Sequence, residues 1–362
     1  MGNAIKAALP TGLRLSQLAV RNFTAHILGS HANSTYIKYL PAWRLFKLWC
    51  TDCGVSDPLS VDGTIVAFYL SHLITEGKRK LIGNSAVITA TAAIRYFYSA
   101  AGRVAPLDVP FVHRMKRTAA KSLLSSRRSK CEPISAEDLH SLLSTHLTPS
   151  CSLPVRMHLT VFLLMFVGLL RYSDAASILV HEEFLRFIRT ASGSLDGVLL
   201  FIPYSKTDQE WMGSWVAIGA THTRFCPVRL LSDLLSYGGY DRRGSSSLAT
   251  GPLLRATIQR HRPQRFVLAR VTSPFSDPIP SLSYAQFRSS ILRLTAALSI
   301  RIGLHSARTG GASRAAELGV DSRLVCGLGR WKQGTTFADS YIKMMTGNMQ
   351  RYFALTRSLW PF

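Results

Sequence analysis

Acidic residues are scarce in this chain. Among its 362 residues, 20 Asp and Glu stand against 43 Lys and Arg, a formal net charge of +23 and an isoelectric point near 10.3. No acidic triad at metal-binding spacing and no phosphate-cradling P-loop occur, which argues against metal-assisted hydrolysis and against a nucleoside-triphosphate motor. Cysteine is thin as well: six residues, scattered, with one CxxC at Cys50 and Cys53 and no second pair at zinc spacing. Neither a zinc site nor a disulfide framework is expected from that pattern. No apolar run is long enough to span a bilayer; the strongest, LTVFLLMFVGLL at residues 159–170, reads as a buried helix. The first ten residues lack the apolar core of a secretory signal, and Lys6 stands where N-myristoylation wants Ser or Thr. No internal repeat is present, and neither membrane insertion nor secretion is expected.

What is present is apolar and basic. Hydrophobic residues make up 47% and charged residues only 17%, which excludes general disorder and leaves enough core for two domains. An excess of cations this large favours a polyanionic partner, nucleic acid foremost, over a protein that is basic merely through residence on a ribosome or in an organelle.

The first third reads as helical. Aromatic and apolar residues recur at helical spacing through residues 34–53, at Tyr36, Leu40, Trp43, Phe46, Leu48 and Trp49. A second helix follows a Ser60 start and is expected to end at Gly77; a third covers residues 84–102, and a fourth follows Pro110. Cations gather near the ends of these helices: Lys78, Arg79 and Lys80, then Arg114, Lys116, Arg117 and Lys121. Solvated faces are the usual fate of such residues, but their clustering on successive elements suits a surface that tracks phosphates. Residues 125–133, SSRRSKCEP, are polar, basic and end in proline; they read as a linker carrying two further candidate DNA contacts, Arg127 and Arg128. The boundaries that follow are 1–124 for a helical domain, 125–133 for the linker and 134–362 for a mixed domain.

The second domain opens with Ser135 as a helix cap and Asp138 three residues on. Strands are expected at residues 184–190 and across 198–218, the latter folded as a hairpin over KTDQE. Residues 226–235 and 283–300 read as helices. Residues 238–263, rich in Gly, Ser, Arg and His, read as a flexible insertion.

Taken singly, the reactive residues of this domain have ordinary explanations. Arg171 follows an apolar helix and could simply reach for water; with Asp174 and a further helix beyond, it sits where two helices meet. Lys206 lies at the hairpin tip, a common place for surface charge. His305 and Arg308 are one helical turn apart and face the same way, with Ser306, Gly310 and Gly311 allowing close backbone approach to a ligand. Trp331 could be a core plug and Tyr341 a half-buried helix residue. Together they place cations around one phenol on a strongly basic chain, a set suited to attack on a nucleic-acid phosphate.

In the order Arg171, Lys206, His305, Arg308, Trp331, Tyr341, within GLLRYSDAASI, the KT of the hairpin, CPVRLL, HSARTGGASRAAELG and LGRWKQGTTFADSYI, the set resembles the tyrosine recombinases of the phage integrase superfamily. The resemblance covers nearly the whole chain. HSxR-x-GG-A with LGRW is most similar to the recombinases of eukaryotic Crypton and DIRS-type mobile elements. Two departures stand out: Arg330 follows Gly329 where the family usually has His or Trp, and Trp331 to Tyr341 is one residue longer than the commonest spacing. Arg330 therefore competes with Trp331 for that place, and Tyr352 is the downstream rival of Tyr341.

The resemblance implies a mainly α fold with a small antiparallel β-sheet: an all-helical core-binding domain and a mixed α/β catalytic domain, forming a C-shaped clamp around DNA. It implies a site-specific DNA recombinase that breaks and rejoins strands through a 3′-phosphotyrosyl intermediate, for integration or excision of a mobile element. Arg171, Arg308 and Trp331 would bind the phosphate, His305 would hydrogen-bond it or assist deprotonation of Tyr341, Tyr341 would attack, and Lys206 would protonate the leaving 5′-hydroxyl. No cofactor is implied, neither metal nor ATP, because the phosphotyrosyl bond conserves the energy of the one it replaces. The implied partners are double-stranded DNA and further copies of the chain, a dimer per site and a tetrameric synapse; the apolar tail after Tyr341 would pack on its own domain or dock into a neighbour. The implied location is the nucleus of a eukaryote, or the nucleoid otherwise. A recombinase-derived DNA-binding protein without catalysis and a type IB topoisomerase are the competing functions.

Overall fold

Aromatic side chains at helical spacing build the first of two units into which the chain divides, Met1–Arg128 and Ser129–Phe362. The computed structural model describes residues 18, 19, 22, 33–123, 131–205, 212–243, 251–261, 264–269, 281–331 and 349–362.

In the first unit, helices α1 (Asn33–Asp52), α2 (Gly63–Arg79), α3 (Ser85–Ala100) and α4 (Pro110–Ser122) surround one core. Trp43 of α1 stacks on Phe97 of α3 at 4.9 Å, and Phe46 meets Tyr69 of α2 at 5.0 Å. Rings of this size bring both large apolar area and a preferred mutual geometry. The second helix starts after Asp62, the last residue of the Ser-Val-Asp start at Ser60, and the Asp62 carboxylate accepts from the Thr64 and Ile65 amides at 2.8 and 2.9 Å. One local expectation needs correction. Gly77 does not end this helix: it runs on to Arg79, and Gly77 is buried inside it. A β-carbon there would come within 2.8 Å of Leu123, so this glycine serves packing rather than termination.

The second unit is organised around α6 (Leu153–Val167), of which residues 157–167 are buried without a break. Burial on all sides is what a helix with no polar face requires, and each large side chain so buried contributes about 1.5–3 kcal/mol. Before it lies α5 (Ala136–His146), capped as expected by Ser135, whose hydroxyl accepts from the Asp138 amide at 2.9 Å. After it come the short α7 (Tyr172–Ala176) and an antiparallel sheet of β1 (Leu185–Arg189), β2 (Leu195–Ile202) and β3 (Ser214–Gly219) in the order β1-β2-β3. Helices α8 (Pro227–Gly238), α9 (Tyr284–Leu294), α10 (Leu304–Glu317), α11 (Ser322–Gly329) and α12 (Met349–Leu359) complete the unit, with a second hairpin of β4 (Thr257–His261) and β5 (Gln264–Leu268). The fold is mainly α with small antiparallel sheets, in line with the sequence.

Residues 238–263 are not a free insertion throughout. Leu253 and Leu254 are fully buried; the Leu253 amide donates to the Ile178 carbonyl at 2.8 Å, and Val180 donates to Gly251 at 2.9 Å. The Gly, Ser and Arg flanking this short apolar piece dominated its composition and hid it, along with the β4–β5 pairing.

The tail also resolves one way for its described residues. Phe353, Leu359 and Trp360 are fully buried in their own unit. Trp360 donates its indole N–H to the Phe225 carbonyl at 3.0 Å, and Arg357 pairs with Asp196. These side chains are spent at home, so docking of residues 349–362 into a neighbour is set aside.

Helix α10 carries the most reactive stretch of the sequence and lies against α6 with backbones in contact. A β-carbon at Gly310 would run into the Ile134 carbonyl, and one at Gly311 into the Phe166 carbonyl. The two glycines thus serve packing rather than the approach of a ligand expected of them, and set how near α10 comes to the end of α6, where Arg171 follows.

Candidate active site

The end of α6 supplies the first part of the site. Leu169, in the left-handed region at φ 49, turns the chain, and Arg171 then takes the N-cap position of α7. Asp174, three residues on, folds back so that its Oδ2 accepts from the Arg171 amide at 2.8 Å. The carboxylate is thereby fixed at the N-terminus of α7, fully buried. A helix start offers unsatisfied N–H groups, which suits a negative charge there.

Three guanidinium groups converge on that oxygen. Arg330 reaches Oδ2 at 2.5 Å, and Arg171 and Arg308 each place Nη1 at 4.0 Å from it. Arg308 comes from the second turn of α10 and is only 1% exposed. Its Nη1 donates to the Leu169 carbonyl and its Nη2 to the Gly329 carbonyl at 2.5 Å, while its Cζ lies 4.3 Å from the centroid of the Trp331 ring. Two carbonyls and an aromatic face hold the group in one orientation and use two of its five donors. Burial, then the like charges of Arg171 and Arg330, push the Arg308 guanidinium down to about 9 against the pull of Asp174, which leaves it charged at neutral pH.

Arg171 is differently placed. Its side chain is about one-fifth exposed, and its buried Nη1 has no hydrogen-bond partner. A buried, charged donor without an acceptor is costly unless an anion completes it. His305 stands exposed in the first turn of α10. Desolvation, then Arg308 and Arg171, lower its pKa below the ordinary histidine value, so the imidazole is neutral at physiological pH. Two guanidinium groups placed beside one another in this way can together coordinate an oxyanion.

Of the residues singled out in the sequence, Arg171, His305, Arg308 and Trp331 come together. The rivalry between Arg330 and Trp331 resolves into two tasks: Arg330 turns inward to Asp174, and Trp331 lies against Arg308. Arg330 accepts a left-handed backbone, φ 53, to do so. Lys206 falls between β2 and β3, and Tyr341 between α11 and α12; both lie outside the described residues. Tyr352 is a poor rival for the nucleophile. It is buried on α12 with its hydroxyl against Gly327, and burial raises its pKa.

Asp174 was missed as a site residue. Its signal was the three-residue spacing from Arg171, which is the spacing at which an acidic side chain caps a helix start.

In the first unit, Lys78, Arg79, Lys80, Arg114, Lys116, Arg117 and Lys121 are all exposed. Packing of Leu123 on Gly77 brings the end of α4 against the end of α2. Glu76 offsets part of that charge, pairing with Arg79 at 2.7 Å and Lys80 at 2.9 Å. Arg127 and Arg128 lie outside the described residues.

No protein-family model and no curated protein matches the chain. Several solved structures are similar to it at low identity. The Tn1549 transposon integrase in complex with transposon right end DNA is 13% identical over 91% of this chain and 98% of that one, with a TM-score of 0.48. The integrase of mycobacterium phage Brujita is 16% identical over 95% and 93%, at 0.40. An FLP recombinase–Holliday junction complex is 15% identical over 68% and 54%, at 0.39; the chain spans about half the length of that recombinase. These are likenesses of outline alone, and the functional reading rests on the site.

Proposed function

We propose that the chain is a DNA strand-exchange enzyme of the tyrosine-recombinase type. The observation that carries the reading is the pair Arg171 and Arg308, the first partly and the second fully buried, oriented around Asp174 with no hydrogen-bond acceptor on Arg171 Nη1, on a chain of net charge +23. A phosphodiester resists attack because charge gathers on its non-bridging oxygens in the transition state, and fixed guanidinium groups aimed at those oxygens lower that barrier.

In the proposed reaction, the Tyr341 oxygen attacks phosphorus while Arg171 and Arg308 bind its non-bridging oxygens. Neutral His305 accepts the phenol proton or hydrogen-bonds the phosphate, and Trp331 keeps Arg308 in plane. The bond from phosphorus to the 5′-oxygen breaks, and Lys206 gives that oxygen a proton. The products are a 3′-phosphotyrosyl enzyme and a free 5′-hydroxyl, which in a second strand exchange re-forms a phosphodiester. Exposed cations of α2 and α4 would follow the duplex backbone. Integration or excision of a mobile element, and assembly as a dimer per site and a tetramer across two, belong to the same proposal; residues 349–362, packed at home, would not be the docking piece.

The test is incubation with nicked duplexes, in which the cleaved end diffuses away and the intermediate is trapped. Denaturant-stable protein–DNA adducts are expected from the wild type and not from Arg171→Ala or Arg308→Ala. Adducts of equal yield from both variants would sink the proposal. Rapid relaxation of supercoiled plasmid lacking any specific site would redirect it to a topoisomerase.

A further inference from the structure

The residue between Gly329 and Trp331 has no part in the reaction as proposed, yet it is one of the most constrained in the site. Arg330 is 4% exposed, its backbone lies in the left-handed region at φ 53, and its Nη2 stands 2.5 Å from Asp174 Oδ2. A β-carbon disfavours that backbone region, so its retention by a non-glycine residue asks for a reason.

Asp174 Oδ2 suggests one. The oxygen accepts from the Arg171 amide at 2.8 Å and from Arg330 at 2.5 Å, which uses both of its lone pairs. Arg171 and Arg308 each stop 4.0 Å short of that same oxygen. We propose that Arg330 is a positioning residue that takes Asp174 as its own counter-ion, and so keeps Arg171 from closing on the carboxylate and leaves its donors for an external phosphate. Without Arg330, a buried carboxylate in a low-dielectric site would draw the nearest free guanidinium, Arg171, into a direct ion pair. The anion receptor would then be filled by the protein's own side chain. That the external anion is a DNA phosphate rests on the function proposed above; the charge relation among the four groups does not.

The experiment compares the full-length wild type with Arg330→Met, Arg330→Lys, Asp174→Asn and the double variant Arg330→Met/Asp174→Asn. In single-turnover adduct formation on nicked duplex, Arg330→Met is expected to slow the chemical step about 10²-fold, the size of effect that a displacement near 1 Å produces, with duplex affinity nearly unchanged. The double variant is expected to recover to the rate of Asp174→Asn alone, because the competing carboxylate charge is gone. Arg330→Lys should recover part of the rate. In parallel, thermal stabilisation by inorganic phosphate, measured against chloride at equal ionic strength, should be present in the wild type and double variant and absent in Arg330→Met. If Arg330→Met does not fold, the double variant and Arg330→Lys still supply the comparison. A double variant as slow as Arg330→Met, or Arg330→Met with wild-type phosphate stabilisation, would overturn the inference. The phosphate arm needs no DNA cleavage, so a chain that binds phosphate in this pattern but never forms adducts would refute the proposed function and leave the role of Arg330 standing.

Discussion

Asp174→Ala is the perturbation whose cost follows most directly from the site. The wild-type cluster holds three guanidinium groups against one buried carboxylate. Removing the carboxylate leaves Arg308 and Arg330, 1% and 4% exposed, facing each other and Arg171 with no anion between them. Unit charges about 4 Å apart at an effective dielectric near 20 interact by about 4 kcal/mol. Experience with broken buried pairs sets the net loss at about 3–5 kcal/mol. The variant also loses the helix-capping bond from the Arg171 amide, worth about 1 kcal/mol and partly contained in that sum. Against a total of about 5–15 kcal/mol for a folded domain, the loss is large. At about 2–4 °C per kcal/mol for a unit of this size, it corresponds to a fall on the order of 10 °C in the transition of the second unit. Scanning calorimetry of the full chain reads it. Asp174→Asn, which keeps an acceptor for the Arg171 amide but no charge, should fall in between. A shift below about 1 kcal/mol for Asp174→Ala would refute the view that this carboxylate organises the arginines.

Three further outcomes are expected. Gly311→Ala drives a β-carbon into the Phe166 carbonyl and should cost about 1–3 kcal/mol in urea unfolding, since backbone cannot yield as a side chain would; a neutral result would mean that α10 and α6 are not in backbone contact. Burial, then Arg293, pushes the His158 imidazole down to about 4, while the unfolded chain titrates near ~6.5; its stability contribution is therefore intact above pH 6.5 and lost as pH falls towards 4, by up to about 3 kcal/mol. His158→Leu should flatten that part of the stability profile, and an unchanged slope would contradict the assignment. Truncation after Lys343 removes the fully buried Phe353, Leu359 and Trp360, at about 1.5–3 kcal/mol each, and should unfold the second unit in the monomer; a stable truncated monomer would revive docking of the tail into a neighbour.

The helices were legible in the sequence where one face had to be buried. The spacing of Trp43, Phe46 and Trp49 gave away α1, and the uninterrupted apolar run gave away α6, because burial imposes a period or its absence. Ser135 announced the start of α5 through its cap. What escaped was packing decided by a distant partner. Gly77 looks like a stop until Leu123 is known to lie on it, and Leu253 looks like part of a loop until Ile178 is seen to receive its amide. In the site, Arg171, His305, Arg308 and Trp331 were legible as chemistry-bearing types in an ordered series. Asp174 was not, and Arg330 only as a rival for the place of Trp331, because the two residues pair across 156 residues of sequence.

In the proposed reaction Tyr341 becomes covalently joined to DNA, and adduct mapping reads out that bond. The protein is incubated with a library of nicked DNA sites, the trapped adducts are digested with protease and nuclease, and the modified peptide is identified by mass spectrometry. The account predicts a 3′-phosphate on the peptide containing Tyr341, a free 5′-hydroxyl on the released strand, and no adduct from Tyr341→Phe although duplex binding persists. Phosphate found on Tyr352, a 5′-linked product, or adducts that survive Tyr341→Phe would contradict it.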